Sequence, residues 1–272
     1  MPNWSDDTQC QLCHAQTGTL EHRLVCEAIR PPEGWQNPPQ ESNLMLHKME
    51  KDRKRLMETR ALFAMKIRVP RPPRTDTYQW LLHPPEDMPE GCTWFIDGSL
   101  YDEAKNFGKR TGFGIAVIGP DGTLMACGNG VPPEWVSDTA GAERWAFYTV
   151  TQLCTFLPKI VTDCLGILQE LKAEPQAATL PSKNLGRTWR MVAHNLDNDF
   201  EGAARNTTWM PSHGAVGTIR QTLDSNGAAI SSIMWRANRL VDDLAKAAAG
   251  AYRLPKFVMK AVKDAAATVL PC

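Results

Sequence analysis

Long apolar runs are absent from this chain. No stretch reaches the roughly 18 apolar residues that a membrane-spanning helix needs, and the N-terminal sequence MPNWSDDTQC has neither the basic region nor the apolar stretch of a signal peptide. The sequence also has no internal repeat. We therefore expect an intracellular protein, nuclear or cytoplasmic, that is not secreted and has no membrane partner.

Several enzyme motifs are missing as well. The sequence contains no Walker A, HExxH or GxSxG pattern, so a nucleotide-binding protein or a serine hydrolase has little support. Gly112 and Gly114 begin a glycine-rich run, but Val117 stands where a dinucleotide-binding fingerprint needs its third glycine. We expect no small-molecule cofactor.

The chain also lacks an excess of charge of either sign. Its 272 residues include 30 Lys or Arg and 30 Asp or Glu, so the formal net charge is zero. Hydrophobic residues make up 43% and charged residues 22%, a balance typical of globular proteins. The length permits one sizeable domain with a small appendage, or two modest domains.

Proline is concentrated in one part of the chain. Ten of the 20 prolines lie between Pro31 and Pro89, a density that prevents continuous helix or central strand and indicates a linker. Between the proline clusters, residues 41–69 are rich in helix formers and predict one charged helix. Residues 41–74 contain ten Lys or Arg against four Asp or Glu, a local net charge of +6. Such a helix could follow a phosphate backbone, although a solvated charged face is the commoner explanation.

From about Gly91 the sequence predicts a folded domain. CTWFIDGSL is a short β-rich run, and two further runs are joined by the hairpin sequence PDG at residues 120–122. A helix that begins at Ser137 or Asp138 follows, and then the strand KIVTDC, short helices, the strand in TTWMPSHG and the helix RANRLVDDLAKAAAGAYR. The order βββαβα(α)βα predicts an α/β or α+β fold with helices packed against a sheet.

Four acidic residues stand where predicted strands end or within predicted helices: Asp97 in FIDGS, Glu143 in AGAERWA, Asp163 in VTDC and Asp242 in NRLVDDLA. Taken singly, each has an ordinary explanation as a turn, surface or capping residue. However, Asp97 and Asp163 follow apolar strand residues, and Glu143 lies on a helix face that must meet the sheet. Carboxylates buried together need a cation, and Mg²⁺ or Mn²⁺ prefers such oxygen ligands.

Together these motifs resemble the type 1 ribonuclease H family. FIDGS, TGFGIAVIGPDG, AGAERWA, VTDC, WMPSHGA and NRLVDDLA occur in the family's order over roughly residues 91–252. The resemblance implies a mixed five-stranded sheet with helices on both faces. It also implies that Asp97, Glu143, Asp163 and Asp242 bind two Mg²⁺ or Mn²⁺ ions, and that His213 assists proton transfer or product release.

The order of the acids separates this family from others with a similar sheet. DEDD exonucleases place a Glu two residues after the first Asp, where this chain has Ser99. Integrases and transposases place their Glu after both Asp residues, whereas Glu143 lies between Asp97 and Asp163. The ribonuclease H order is therefore preferred.

By this resemblance the chain is a metal-dependent endonuclease, a phosphodiester hydrolase that cuts the RNA strand of its partner, an RNA–DNA hybrid. The alternative is a retroelement-derived module that binds nucleic acid without cutting it. Residues 214–237 form a longer segment than the family usually has. The basic residues of SKNLGRTWRM, with Trp189, are a candidate hybrid-binding face, and an ordinary surface helix explains them equally well.

Three of the eight cysteines lie within the first 26 residues. In a reducing compartment, close Cys pairs bind metal more often than they form disulfides. Cys10, Cys13, His22 and Cys26 supply three thiols and one imidazole at spacings that match a closed structural Zn²⁺ site. CQLCHAQTGTLEHRLVC resembles the zinc-binding segment that follows the reverse transcriptase in non-LTR retrotransposon polyproteins, where a ribonuclease H domain can lie downstream.

The sequence therefore predicts four segments. They are a zinc knuckle (1–30), a Pro-rich linker with a basic helix (31–90), a ribonuclease H-like domain (91–255) and a C-terminal tail (256–272). Because both family resemblances lead to the same kind of element, they imply an origin in a retrotransposon polyprotein.

Overall fold

The computed structural model describes most of the chain after residue 70 and parts of the chain before it. The described residues are 9–18, 22, 25–34, 47, 48, 50, 51, 54, 71, 73–101, 108–212 and 214–269. Two compact units are present, Pro70–Arg253 and the combination of Met1–Val69 with Leu254–Cys272. The basic helix expected at residues 41–69 lies mostly outside the described residues.

A mixed sheet forms the centre of the unit Pro70–Arg253. Its strands are β1 (Thr77–Leu82), β2 (Thr93–Tyr101), β3 (Arg110–Ile118), β4 (Leu124–Val131), β5 (Lys159–Thr162) and β6 (Thr207–Trp209). They lie in the order β1-β4-β3-β2-β5-β6. The first three neighbouring pairs are antiparallel, whereas β2 with β5 and β5 with β6 are parallel.

Helices connect these strands. They are α1 (Thr139–Leu153), α2 (Leu165–Leu171), α3 (Pro175–Ala178), α4 (Gly186–Asn195), α5 (Phe200–Asn206) and α6 (Ser232–Ala251). The tail of the sequence forms α7 (Lys256–Val269), which belongs to the other unit. Among the described residues, no helix is both long and apolar enough to cross a membrane.

Two hydrophobic cores lie on opposite faces of the sheet. Successive side chains of a strand point to opposite faces, so Ile96 of β2 packs with Trp145 of α1, whereas Phe95 packs with Val241 of α6. The fold class predicted from the sequence, a mixed α/β sheet with helices on both faces, is therefore confirmed.

The sheet has six strands rather than five. The additional strand, β1, lies in the segment interpreted as a linker and pairs antiparallel with β4. Tyr78 of β1 stacks on Phe113, with ring centroids 5.9 Å apart. Small residues of β4 leave space for this ring, because a Cβ atom on Gly128 would lie 2.5 Å from the Tyr78 hydroxyl oxygen.

The long segment after β6 covers the outer edge of the sheet. The backbone N–H of Ser225 donates to the carbonyl oxygen of Trp209 at 2.9 Å, and the N–H of Trp209 donates to the Ser225 hydroxyl at 3.0 Å. The side-chain amide of Asn226 donates to the Thr208 hydroxyl at 3.0 Å. These bonds satisfy polar groups that an edge strand would otherwise leave open.

Helix α1 begins at Asp138, one of the two caps predicted, whose carboxylate accepts a hydrogen bond from the backbone N–H of Gly141 at 2.6 Å. The helix then passes directly over Gly98 of β2. A Cβ atom at position 98 would overlap the backbone nitrogen of Glu143 and lie 2.7 Å from the carbonyl carbon of Ala142. Glycine at this position therefore sets the distance between α1 and the sheet.

We predict that Gly98→Ala destabilises the protein by about 2–4 kcal/mol, because the backbone of α1 must move away from a packed core. Chemical denaturation of the variant and the parent protein measures this difference. Gly217→Ala is the matched control, since a Cβ atom there would meet nothing within 4 Å. An equal loss of stability in the two variants would contradict the close approach of α1 to Gly98.

Candidate metal centre

Asp97 occupies a buried position in the middle of β2, not at the end of a strand as the sequence predicts, because the strand continues to Tyr101. Its side chain is on the same strand face as Phe95, and the residue is only 6% exposed. One carboxylate oxygen accepts a hydrogen bond from the backbone N–H of Gly98 at 2.7 Å. The strand thus holds this carboxylate in a fixed place with little access to water.

Two further acids come next to Asp97 from separate elements. Asp163 directly follows β5, which runs parallel to β2 with Thr162 paired to Ile96, so the end of β5 lies beside the middle of β2. Glu143 reaches the same place from α1, which is close to β2 at Gly98. One oxygen of each carboxylate lies within 4.8 Å of one oxygen of each of the others.

Burial and mutual repulsion both act on this acidic cluster, by which we mean Asp97, Glu143 and Asp163. Burial, followed by the charge of Asp163, raises the pKa of Asp97 to about 8. Burial also raises the pKa of Glu143, while a hydrogen bond from the Cys164 thiol lowers it. A cation would remove this cost, and an all-oxygen donor set fits Mg²⁺ or Mn²⁺.

Asp242, the fourth predicted acid, lies on α6 and outside the acidic cluster. Its carboxylate oxygen Oδ2 accepts a hydrogen bond from the Nζ of Lys246 at 2.7 Å. Its negative charge contributes to the raised pKa of Asp97. One turn earlier, the Asn238 side-chain amide donates to Oδ2 of Asp163 at 3.3 Å, so α6 contacts the cluster directly.

His213 lies outside the described residues, but the chain on both sides of it is described. The indole N–H of Trp235 donates to the carbonyl oxygen of Gly214 at 2.8 Å and so ties this segment to α6. A shallow depression is formed here by Met210, Pro211, Gly214, Trp235, Asn238, Arg239 and Asp242.

A partly buried ion pair next to the cluster was not anticipated from the sequence. The Nε of Arg144 donates to Glu170 at 2.6 Å, and the same oxygen accepts the indole N–H of Trp189 at 2.8 Å. Arg144 directly follows Glu143, and Glu170 lies on the helix that begins after Asp163, so the pair fixes two ligand-bearing elements to each other. The sequence did offer a signal for this ion pair: an arginine lies on the side of the predicted helix that faces the sheet, and a buried charge needs a partner.

The basic segment SKNLGRTWRM has exposed cations, but its tryptophan is buried. Lys183, Arg187 and Arg190 are exposed, and the Arg187 guanidinium lies 4.3 Å from the centre of the Trp135 ring. Trp189 is only 1% exposed. The interpretation of Trp189 as part of an external binding face is therefore wrong, whereas the three cations remain accessible.

A second group of metal-ligating side chains lies in the other unit. One ligand atom from each of Cys10, Cys13, His22 and Cys26 lies within 4.8 Å of the others. The sulfur atoms of Cys10 and Cys26 are 3.9 Å apart, too far for a disulfide. That separation is close to the ~3.8 Å expected between two thiolates on one tetrahedral zinc ion.

Backbone hydrogen bonds lower the pKa of two of the three cysteines in this group, whereas burial raises the pKa of Cys26. Cys10 and Cys13 lie in a tight turn, in which the N–H of His14 donates to the carbonyl oxygen of Cys10 at 2.8 Å. Hydrogen bonds from backbone N–H groups, those of Cys13 and Leu12, lower the pKa of Cys10 to about 6. The backbone N–H of Ala15 likewise lowers the pKa of Cys13. Because the thiolate is the metal-binding form, this donor set fits a Zn²⁺ ion.

Comparison with known proteins identified similar structures only. No protein-family model and no curated protein sequence matches the chain. Two structures of the prototype foamy virus protease–reverse transcriptase, a CSH mutant and the native protein, are 17% and 14% identical to it, with TM-scores of 0.41 and 0.39. In both cases the match covers 61% of this chain and 22% of the viral protein, so this chain spans about a fifth of its length.

The solution structure of the PFV RNase H domain is also similar. It is 16% identical, the TM-score is 0.40, and the match covers 59% of this chain and 94% of that domain. Likenesses at this level do not define the site.

The raised pKa of Asp97 predicts a specific pH dependence of stability. Between the ordinary value of 3.8 and the folded value of about 8, the folded protein holds a proton that the unfolded chain has released. The free energy of unfolding should therefore fall as pH rises from 5 to 8, by up to about 1.4 kcal/mol per pH unit.

Urea denaturation at these two pH values, in chelator, measures this dependence. Asp97→Asn should lose much of it, because the amide does not titrate. If the parent protein became more stable as pH rises, the raised pKa of Asp97 would be contradicted. The same would hold if Asp97→Asn kept the pH dependence of the parent protein.

Proposed function

We propose that this chain is a ribonuclease H, a metal-dependent endonuclease that hydrolyses the RNA strand of RNA–DNA hybrids. The convergence of Asp97, Glu143 and Asp163 from three separate elements carries the proposal. A mixed sheet with helices on both faces is the architecture that the sequence resemblance implies, and the order of the acids along the chain is that of the family. The compact unit Pro70–Arg253 contains all of the proposed catalytic residues.

The acidic cluster would hold two Mg²⁺ or Mn²⁺ ions, with Asp242 as the fourth ligand. When bound, such ions activate water and stabilise the leaving oxygen of a phosphodiester. Asn238 orients the Asp163 carboxylate through its side-chain amide. By the resemblance, His213 would assist proton transfer or product release, and the depression beside Asp242 is lined by residues that precede and follow it in the chain.

The exposed cations of the α4 region support a nucleic-acid partner. Lys183 precedes α4, and Arg187 and Arg190 lie on its exposed side. Their charges would contact phosphates, which position a duplex without reading its sequence. Contacts to the 2′-hydroxyl groups would distinguish the RNA strand from DNA, so we expect little sequence preference.

Cleavage of a labelled RNA–DNA hybrid in Mg²⁺ tests this function, with RNA–RNA and DNA–DNA duplexes as alternative substrates. We expect cutting of the hybrid alone. Because a bound divalent ion supplies several kcal/mol of transition-state stabilisation, Asp163→Asn should reduce cutting roughly 100-fold or more.

Asp197→Asn is the matched control for this experiment. Asp197 is exposed and has a positive φ of 49°, a conformation that asparagine accepts. This variant should cut like the parent protein. A folded protein that binds the hybrid but cuts nothing in Mg²⁺ or Mn²⁺ would overturn the proposal and favour the alternative, a retroelement-derived nucleic-acid-binding module.

We also propose that Cys10, Cys13, His22 and Cys26 hold one structural Zn²⁺ ion. Three thiols and an imidazole form a complete tetrahedral donor set with no position left for a substrate, which is typical of structural rather than catalytic zinc. A zinc knuckle at this place in the chain supports derivation from a retrotransposon polyprotein that also encodes a reverse transcriptase.

Elemental analysis of the purified full chain tests the zinc site. We expect about one zinc per chain, and Cys13→Ser should lose most of it because three protein ligands bind less tightly than four. Cys154→Ser, which removes a thiol far from this group in sequence, should keep the metal. Zinc content that is the same in both variants would rule out this ligand set.

A further inference from the structure

Lys246 lies one helical turn after Asp242 on α6, and the two side chains form an ion pair. The ammonium nitrogen is 2.7 Å from Oδ2 of Asp242, and the side chains are 44% and 20% exposed, respectively. Asp242 itself lies one turn after Asn238, whose amide contacts Asp163. The lysine therefore places a positive charge on the α6 side of the acidic cluster.

Asp242 lies apart from the other three acids, and its carboxylate is already engaged by this ion pair. The ammonium group lies against the Asp242 carboxylate, so its positive charge opposes the approach of a divalent ion to that carboxylate. The lysine thus offsets the charge of a proposed ligand whose side chain is 20% exposed. Four carboxylates and two divalent ions are electrically balanced, so the lysine charge becomes surplus once both ions are bound.

The ion pair is also easily exchanged. It is an i, i+4 pair on a half-exposed helix surface, a type whose contribution is small because water and salt screen it. The long side chain of Lys246 can turn into solvent with little loss of packing. A divalent ion that carries twice the charge would displace it.

We propose that Lys246 is an internal counter-ion that occupies Asp242 until a divalent ion displaces it, and so weakens the binding of that ion. The inference rests on the proposed function, because it takes Asp242 as a metal ligand. As a consequence, the second ion binds more weakly than the first, because Lys246 of α6 is paired with its ligand Asp242. The concentration of Mg²⁺ at which the protein becomes fully loaded would therefore be set by this lysine.

Calorimetric titration of Mn²⁺ into the metal-free full-length protein tests the proposal without measuring activity. The Asp242-dependent part of the binding is the part that Asp242→Asn removes. For that part, Lys246→Gln should lower the dissociation constant about 3- to 10-fold, since the competing pair and a repulsive charge are both removed. Lys246→Arg should bind like the parent protein.

Lys159→Gln is the matched control, because it removes the same charge from an exposed position at the opposite end of the neighbouring strand β5. It should leave the Asp242-dependent binding unchanged. An effect of the same size in Lys159→Gln would reduce the result to overall charge and overturn the proposal. An unchanged or weaker affinity in Lys246→Gln, or no loss of binding in Asp242→Asn, would overturn it as well.

Hybrid cleavage by the parent protein separates failure of the proposed ribonuclease H function from failure of the proposed role of Lys246. If the parent protein cuts hybrids and Lys246→Gln requires the same Mg²⁺ concentration as the parent, only the counter-ion role is lost. If the parent protein neither binds Mn²⁺ nor cuts hybrids, the proposed function fails, and the inference about Lys246 fails with it.

Discussion

Repulsion between buried carboxylates is the constraint on which this structure depends. Asp97, Glu143 and Asp163 come within 4.8 Å of one another at a place where water cannot screen them fully. Three contacts hold them together. Helix α1 lies directly on Gly98 without an intervening side chain, and β2 pairs with β5. The ion pair between Arg144 and Glu170 fixes α1 to α2. Because rigid elements carry the acids, the free energy of folding holds the three carboxylates together in spite of their repulsion.

Much of this fold could be predicted from short-range patterns, because hairpins and helix caps depend on a few adjacent residues. Gly122 has the positive φ of 88° that the hairpin requires, and Asp138 caps α1. Strand β1 could not be predicted in the same way. Prolines lie on both sides of it, its side chains are at most half-buried, and its pairing depends on small residues of β4, far along the chain.

In the candidate site, too, the sequence predicted which residues matter but not which side chains contact each other. The order and context of the acids are properties of the sequence, and they anticipated the three residues that converge. The pairing of Lys246 with Asp242 and of Arg144 with Glu170 depends on helix rotation and on which rotamer is adopted. Trp189 is an instructive case, since an aromatic residue among cations suggests a nucleic-acid surface, yet its neighbours in space place it in the core.

The segment after β6 has a consequence for how this molecule meets others. An open strand edge is a template on which another chain can add a strand, which leads to assembly or aggregation. Here Ser225 already bonds both backbone groups of Trp209, and Asn226 bonds the Thr208 hydroxyl. This segment therefore has a structural role that is independent of the chemistry at the acids: the sheet cannot grow from β6 into a neighbouring molecule unless this turn is first displaced.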